Sequence, residues 1–187
     1  MNTVSAPIVV VDDDADSRML LTTYLSAEGH HVVETDSGEK ALAILAEGPA
    51  ALVLLDVLLP GLSGFDVCRR IKRDPKTAST PVIMVTSLSD TQSRTKAFES
   101  DADEFLAKPV FRPELVARVR SMLRLRRVLS DKEAAQQALE AQQRNHLQDL
   151  LARHLPQADV ERLLQLSGAE RDLLLERALR VLRAPVR

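Results

Sequence analysis

Short apolar runs alternate with amphipathic stretches through the first 130 residues. Five such runs predict β-strands, at 8–11, 31–35, 51–55, 82–86 and 104–107. The first, third and fourth are continuous aliphatic or β-branched segments, as expected for strands covered on both faces. The second run is more polar, which suits an edge strand.

Helical patterns fill the intervals between the strands. Apolar residues recur at helical spacing in four segments, 17–27, 38–47, 64–73 and, more weakly, 90–100. In the first segment, the apolar stripe comprises Met19, Leu20, Tyr24 and Leu25. Strand–helix alternation with short connections predicts an α/β fold, a doubly wound parallel sheet with right-handed crossovers.

A fifth, much longer helical pattern begins near Pro113, a residue type favoured in the first helical turn. Neither Gly nor a further Pro occurs before Leu155-Pro156, where the pattern ends. Its repeat at steps of three and four comprises Met122, Leu125, Leu129, Gln136, Leu139, Gln143, His146 and Leu150. This imperfect heptad favours a two-stranded coiled coil between two copies, and the alternative is a lone helix packed on its own domain.

Two short amphipathic helices are predicted in the C-terminal tail, near 158–166 and 169–183. Both are rich in leucine, and two isolated helices cannot bury that much apolar surface. The tail therefore needs a partner, which could be a second copy, the long helix or a domain outside this chain.

Composition is that of a soluble globular protein, with 187 residues, 45% apolar and 28% charged. The single cysteine, Cys68, excludes an internal disulfide framework and suits the cytoplasm. No apolar stretch reaches the roughly 20 residues needed to cross a membrane. The net charge of −2 hides an asymmetry, because residues 1–111 carry −7 and residues 112–187 carry +5.

Polar side chains stand where the predicted strands end. Asp12 and Asp13 follow the first strand, Asp56 follows the third, Thr86 ends the fourth and Lys108 follows the fifth. Because the carboxyl ends of parallel strands meet at one edge of a sheet, these groups should share a crevice. Several carboxylates beside one ammonium indicate a divalent cation and a phosphoryl group.

Four motifs in this order resemble the receiver domain of two-component response regulators. They are Val-Val-Asp-Asp at 10–13, Leu-Leu-Asp-Val-Leu-Leu-Pro-Gly at 54–61, Val-Ile-Met-Val-Thr-Ser at 82–87 and Ala-Asp-Glu-Phe-Leu-Ala-Lys-Pro at 102–109. The resemblance covers about residues 6–127. It implies a flavodoxin-like sheet of strand order 2-1-3-4-5 and a phosphoacceptor regulatory protein rather than an enzyme.

The resemblance also implies a role for each polar residue. Asp56 would accept a phosphoryl group from a sensor histidine kinase or a phosphotransfer protein. Asp13 and Asp56 would bind Mg²⁺ directly, Asp12 would reach it through water, and the backbone carbonyl of Leu58 would be a further ligand. Without the metal, the clustered carboxylates should raise at least one pKa.

The remaining implied roles concern the switch. Lys108 would contact a phosphoryl oxygen, Thr86 would turn its hydroxyl toward the phosphoryl group, and Phe105 would move inward as Thr86 shifts. The Lys108-Pro109 bond is expected to be cis. Asp101 stands where receivers commonly have Gly, so it should adopt a left-handed conformation.

These observations predict three regions. A receiver domain spans 6–127, its fifth helix continues over 112–155 as a coiled-coil-like linker, and a helical hairpin tail spans 156–187. We expect a phosphorylation-dependent switch that relays its state through the fourth and fifth helices and the fifth strand to this tail. The expected partners are the kinase, a second copy bound through the long helix, and an unknown downstream protein.

Three alternatives remain open. A helix-turn-helix at 158–183 would make a DNA-binding regulator, but Asp172 and Glu176 on its second helix disfavour nucleic acid as a partner. The chain could be an N-terminal fragment of a cyclic-nucleotide signalling regulator. It could also be a receiver-like scaffold that takes no phosphate.

Overall fold

In the computed structural model, residues 6–87 and 101–154 are described. The five predicted strands are present in one parallel sheet: β1 (Ile8–Val11), β2 (Val32–Thr35), β3 (Leu52–Asp56), β4 (Val82–Thr86) and β5 (Glu104–Ala107). Their order is β2-β1-β3-β4-β5, which confirms the predicted topology and the edge position of β2.

Within residues 6–87 and 101–154, four helices accompany the sheet: α1 (Ala15–Ala27), α2 (Gly38–Glu47), α3 (Gly64–Arg73) and α4 (Arg112–His154). The predicted helix at 90–100 and both predicted tail helices lie outside the described residues. The predicted fifth helix is therefore α4. None of the helices that the structure describes combines the length and apolar character needed to cross a membrane.

Two apolar layers cover the sheet, because successive residues of a strand point to opposite faces. On one face, Val9, Val53 and Met84 pack with α2 and α3. On the other, Val10 and Leu54 pack with α1 and α4. Burial on both faces explains why the strands read as continuous apolar runs rather than as an alternating pattern.

The apolar stripe predicted for α1 is partly wrong. Met19 and Leu20 are 62% and 42% exposed, whereas Leu21 and Leu25 are buried against the sheet. The helix also begins two residues before the predicted start, because the Asp14 side chain caps it by accepting a hydrogen bond from the Ser17 amide at 2.8 Å.

The described chain divides into two compact units, Met1–Ser130 and Asp131–Arg187. Within the first unit, Leu115 and Val119 of α4 are fully buried against the sheet. Arg126 extends this anchor by donating hydrogen bonds to the backbone carbonyls of Ala50 and Ala51. Within the second unit, α4 is exposed at every residue whose side chain is described.

Two backbone features match what the resemblance implies. Asp101 has φ 58, in the left-handed region that favours glycine. The Lys108-Pro109 peptide bond is cis.

Candidate phosphoacceptor site

Three carboxylates converge at the carboxyl edge of the sheet. Asp12 follows β1, Asp56 is the last residue of β3, and oxygen atoms of Asp12, Asp13 and Asp56 all lie within 4.8 Å of one another. Lys108, which follows β5, reaches the same point. The structure therefore brings together the predicted acids and the predicted lysine, from three strands far apart in the sequence.

Asp12 is fully buried and both of its carboxylate oxygens already accept hydrogen bonds. Oδ1 accepts from the Asp14 amide at 3.0 Å. Oδ2 accepts from the Ser17 hydroxyl at 2.6 Å and from Lys108 Nζ at 2.9 Å. Because protein donors occupy both oxygens, Asp12 is better suited to hold a metal-bound water than to bind a cation directly.

Asp56 is 5% exposed and carries fewer compensating contacts. Its Oδ1 accepts from the Leu58 amide at 3.0 Å, and its Oδ2 pairs with Lys108 Nζ. Burial raises the pKa of Asp56 above its usual value, although hydrogen bonds from Lys108 and Leu58 act in the opposite direction. The carboxylate that faces the crevice thus holds its negative charge at a cost.

Among the residues that the structure describes, Lys108 is the one cation that pairs with both buried carboxylates. Its burial works against the charged form, but hydrogen bonds to Asp56 and Asp12 outweigh burial and raise its pKa. The pKa values of Asp56 and Lys108 therefore move in the same direction. Two carboxylates stabilise the charged form of Lys108. Because Asp56 shares this single positive charge with Asp12, the charge does not fully offset the cost of burying Asp56.

Asp13 and Leu58 complete the predicted ligand set on the exposed side of the crevice. The Asp13 side chain is exposed, and Leu58 is 55% exposed. Clustered carboxylate and carbonyl oxygens open to water suit Mg²⁺, which prefers a few oxygen ligands and keeps several waters. The excess of acid over base around Asp56 is a charge that such a cation would neutralise, so the donor set fits Mg²⁺.

The predicted switch residues Thr86 and Phe105 lie on one face of neighbouring strands. Phe105 pairs with Met84 in the β4–β5 register, and Thr86 lies two residues beyond Met84. Since side chains alternate along a strand, all three point to the side covered by α2 and α3. Phe105 is half-buried there, against the core.

Gly64 makes possible the close approach of α3 to Asp56. A Cβ atom at this position would lie 2.0 Å from the Asp56 backbone oxygen. Ser63 caps the helix by accepting from the Asp66 amide at 3.2 Å. A glycine followed by an apolar helical pattern is the only signal for this contact in the sequence, and it is ambiguous.

Ser17 and Arg18 are site residues that sequence reasoning missed. Besides the Ser17 contact with Asp12, Arg18 Nη1 donates to the Asp12 backbone oxygen at 2.6 Å. Arg18 Nε also lies 3.5 Å from Glu34 Oε2, so Arg18 links the backbone after β1 to β2. Both residues lie in the first turns of α1, where a serine and an arginine are unremarkable without the fold.

Comparison with known proteins agrees with this geometry. The model of the response regulator receiver domain matches residues 8–120, so the chain belongs to that family. Residues 8–120 are thus a receiver of two-component phosphorelay signalling, which is a phosphoacceptor regulatory module.

Three relatives illustrate the match. Response regulator PleD of Caulobacter vibrioides is 41% identical over 128 residues, which are 68% of this chain and 28% of PleD. DNA-binding response regulator MtrA of Mycobacterium tuberculosis is 42% identical over 66% of this chain and 53% of MtrA. A crystal structure of a putative response regulator from Chloroflexus aurantiacus is 34% identical, with a TM-score of 0.61 over 64% of this chain and 98% of that one.

The chain spans between about a quarter and a half of the length of these curated relatives.

Proposed function

We propose that the protein is a signalling switch in which Asp56 accepts a phosphoryl group from a sensor histidine kinase or a phosphotransfer protein. A carboxylate oxygen of Asp56 attacks phosphorus, the bond from phosphorus to the donor nitrogen breaks, and an acyl phosphate forms. The observation that carries this proposal is the position of Asp56, which lies buried at the crevice beside a lysine that it shares with Asp12.

Mg²⁺ fits the same proposal as a cofactor. Asp13, Asp56 and the Leu58 carbonyl would hold the ion, with Asp12 reaching it through water. When bound, the ion would neutralise charge on the transferring group. Residues of α1 orient Asp12 for this role. Ser17 donates a hydrogen bond to its carboxylate, and Arg18 donates one to its backbone oxygen.

The Lys108 ammonium can move from the Asp56 carboxylate to the phosphoryl group once that group is attached. Its ammonium pairs with both Asp12 and Asp56, so it can leave Asp56 and still keep a carboxylate partner. In this proposal, Lys108 turns to a phosphoryl oxygen once Asp56 is modified, while Thr86 turns its hydroxyl to the same group. Phe105 then moves toward the space that Thr86 vacates.

The proposed output lies in α4 and the tail. The receiver would span 6–127, the linker 112–155 and the helical hairpin 156–187. Leu125, Leu129 and Leu139 are 52%, 51% and 49% exposed at the predicted heptad positions, which supports pairing of α4 with a second copy. We propose a cytoplasmic homodimer whose pairing responds to Asp56 and acts on a downstream protein.

A DNA-binding output is the second candidate, because MtrA is named a DNA-binding response regulator. In this chain, the helix-turn-helix would have to lie at 158–183, outside the described residues. An N-terminal fragment of a cyclic-nucleotide signalling regulator is a further candidate. The match to 28% of the length of response regulator PleD is compatible with a longer regulator, whatever its output.

Labelling with radioactive acetyl phosphate tests the phosphoacceptor. We expect Mg²⁺-dependent label in the wild type, none in Asp56→Asn, and normal label in Asp66→Asn, which removes another carboxylate near the same loop. Label retained by Asp56→Asn would contradict the assignment.

Light scattering with and without beryllofluoride plus Mg²⁺ tests the output. A change in molar mass or shape that occurs in the wild type and not in Asp56→Asn would support a switch read through α4. An unchanged mass and shape in the wild type would contradict an output through dimerisation.

A further inference from the structure

A second charged cleft lies at the amino edge of the sheet, opposite the acidic crevice. Its volume is about 320 Å³, and it opens between α4 and the residues that link α1 to β2. The lining residues are Glu28, His30, Val116, Arg120, Leu123, Arg124 and Arg127. Three arginines against one glutamate leave this cleft with a net positive charge.

Some of the positive charge near the cleft has a structural explanation. Arg112 Nη2 lies 3.1 Å from Glu28 Oε1, and Arg120 Nη2 lies 3.6 Å from Glu28 Oε2. Glu28 is also the C-cap of α1, where the helix dipole is negative and cations are favoured. Arg112 and Arg120 are therefore accounted for by the end of α1.

Arg124 and Arg127 have no such explanation. Within the part of the chain that the structure describes, neither guanidinium forms an ion pair or a side-chain hydrogen bond. Three residues apart on a helix, they lie on the same face. Arg126, between them, turns the other way to the carbonyls of Ala50 and Ala51. The anchoring of α4 thus uses Arg126 and leaves the other two directed to the cleft.

The cleft also offers apolar surface beside these arginines. Leu123 is half-buried where it packs against the core, and Val116 is half-buried two helical turns earlier on the same face. A concave site with an apolar wall and a few placed charges suits a small organic ligand. Guanidinium groups bind phosphate through paired, charge-assisted hydrogen bonds, and two of them on one helix face match the double negative charge of a phosphate group.

We propose that this cleft binds a phosphorylated small molecule. Arg124 and Arg127 hold its phosphate, and its apolar part lies against Val116 and Leu123. The ligand bridges the end of α1 to residues 116–127 of α4, so it stabilises the anchored part of that helix. The site shares no residue with the acidic crevice and does not depend on phosphorylation of Asp56.

Calorimetric titration of the full chain with adenosine diphosphate tests the proposal. The buffer contains EDTA, so that Mg²⁺-bound nucleotide cannot enter the acidic crevice. We expect saturable binding at one site per chain. In the double variant Arg124→Gln/Arg127→Gln, affinity should fall by at least about tenfold, since two charge-assisted contacts are lost.

A matched control removes two arginines elsewhere. Arg73→Gln/Arg144→Gln changes net charge by the same amount at two exposed positions outside the cleft. Its affinity for adenosine diphosphate should stay within about twofold of the wild type, because a general charge effect at ordinary salt is small. An equal loss in both double variants would overturn a defined site and indicate adventitious ion binding only.

Further probes separate the phosphate from the apolar part. Inorganic pyrophosphate and adenosine should each bind more weakly than adenosine diphosphate. Pyrophosphate that binds as tightly would overturn the apolar contribution, and absence of saturable nucleotide binding would overturn the site. Duplex DNA that binds through Arg124 and Arg127 when nucleotides do not would overturn the small ligand in favour of a nucleic acid.

Discussion

Charged side chains are buried at both edges of the sheet, but they differ in how far neighbouring groups compensate their charge. At the carboxyl edge, Asp12 and Asp56 share Lys108, and burial raises the pKa of Asp56 because its compensation is incomplete. At the amino edge, Arg126 is half-buried and meets two backbone carbonyls. Burial lowers the pKa of that guanidinium, and both acceptors are neutral. The first edge holds an excess of negative charge, whereas the second uses its charge to fasten a helix.

This difference separates a reactive site from a structural one. A buried group that lacks full compensation is a candidate for function, because the fold bears a cost that a ligand can relieve. A buried donor whose acceptors are all present holds the fold together and has little left to offer a ligand. Variants at each edge can test the distinction, and the largest effect is expected at a position without charge.

Gly64→Ala should destabilise the carboxyl edge most. The added Cβ would lie 2.0 Å from the backbone oxygen of Asp56, closer than two such atoms can approach, so β3 and α3 must separate. We expect a loss of about 3 kcal/mol in the free energy of unfolding, measured by urea denaturation. Phosphate uptake should also fall, because the loop that carries Leu58 connects the two elements.

Gly48→Ala is the matched control at the end of α2. Its backbone is extended, with φ −175, and an added Cβ meets nothing within 4 Å. The free energy of unfolding should change by no more than about 0.5 kcal/mol. Similar stabilities for the two alanine variants would show that the approach of α3 to Asp56 is not a tight one.

Arg126→Met tests the amino edge and should have the next largest effect. Methionine keeps much of the aliphatic stem but removes both donors from the Ala50 and Ala51 carbonyls. We expect a loss of about 2 kcal/mol in thermal or urea unfolding. Arg127→Met is the control, since that guanidinium is exposed and has no side-chain partner among the described residues. Equal effects of the two substitutions would remove the structural role assigned to Arg126.

Much of the carboxyl edge was predictable because strand ends and chemistry coincide in the sequence. Asp12, Asp56 and Lys108 each adjoin an apolar run, so a parallel sheet alone brings them together. The strand order came from the resemblance, since several orders satisfy the same alternation of strands and helices. Its confirmation in the structure does not make it derivable from periodicity.

The amino edge was not predictable, since its contacts join residues with no shared pattern. Arg126 lies 75 positions from Ala51, and nothing in a run of arginines indicates which one turns inward. The α1 stripe was partly wrong for a related reason. Tyr24 and Leu25 pack on the sheet as predicted, but the stripe also included the exposed Met19 and Leu20 and omitted the buried Leu21. Helical spacing alone left the choice between adjacent faces open.

The smallest predicted effect concerns the charge of Asp56 itself. Because its folded pKa is raised, the folded state binds more protons than the unfolded state between the usual aspartate value and the raised one. The stability that wild type derives from this group is therefore greatest at low pH and falls as pH rises through that window. Asp56→Asn keeps the group neutral. In EDTA at pH 7.5, its free energy of unfolding should therefore exceed that of wild type by on the order of 1 kcal/mol.

Asp66→Asn should show the opposite sign. Hydrogen bonds from Ser63 and Arg69 lower the pKa of Asp66, so its charged form stabilises the fold above the usual aspartate value, and that stability is lost as pH falls. Urea unfolding of both variants and wild type from pH 3 to 7.5 compares them. The advantage of Asp56→Asn should shrink as pH falls toward the usual aspartate value, whereas the deficit of Asp66→Asn should persist down to that value and shrink only below it. If Asp56→Asn were instead less stable than wild type at pH 7.5, Lys108 would depend on Asp56 for its charge. The buried charge of Asp56 would then be fully compensated by Lys108, as the hydrogen-bonding groups of Arg126 are satisfied at the amino edge.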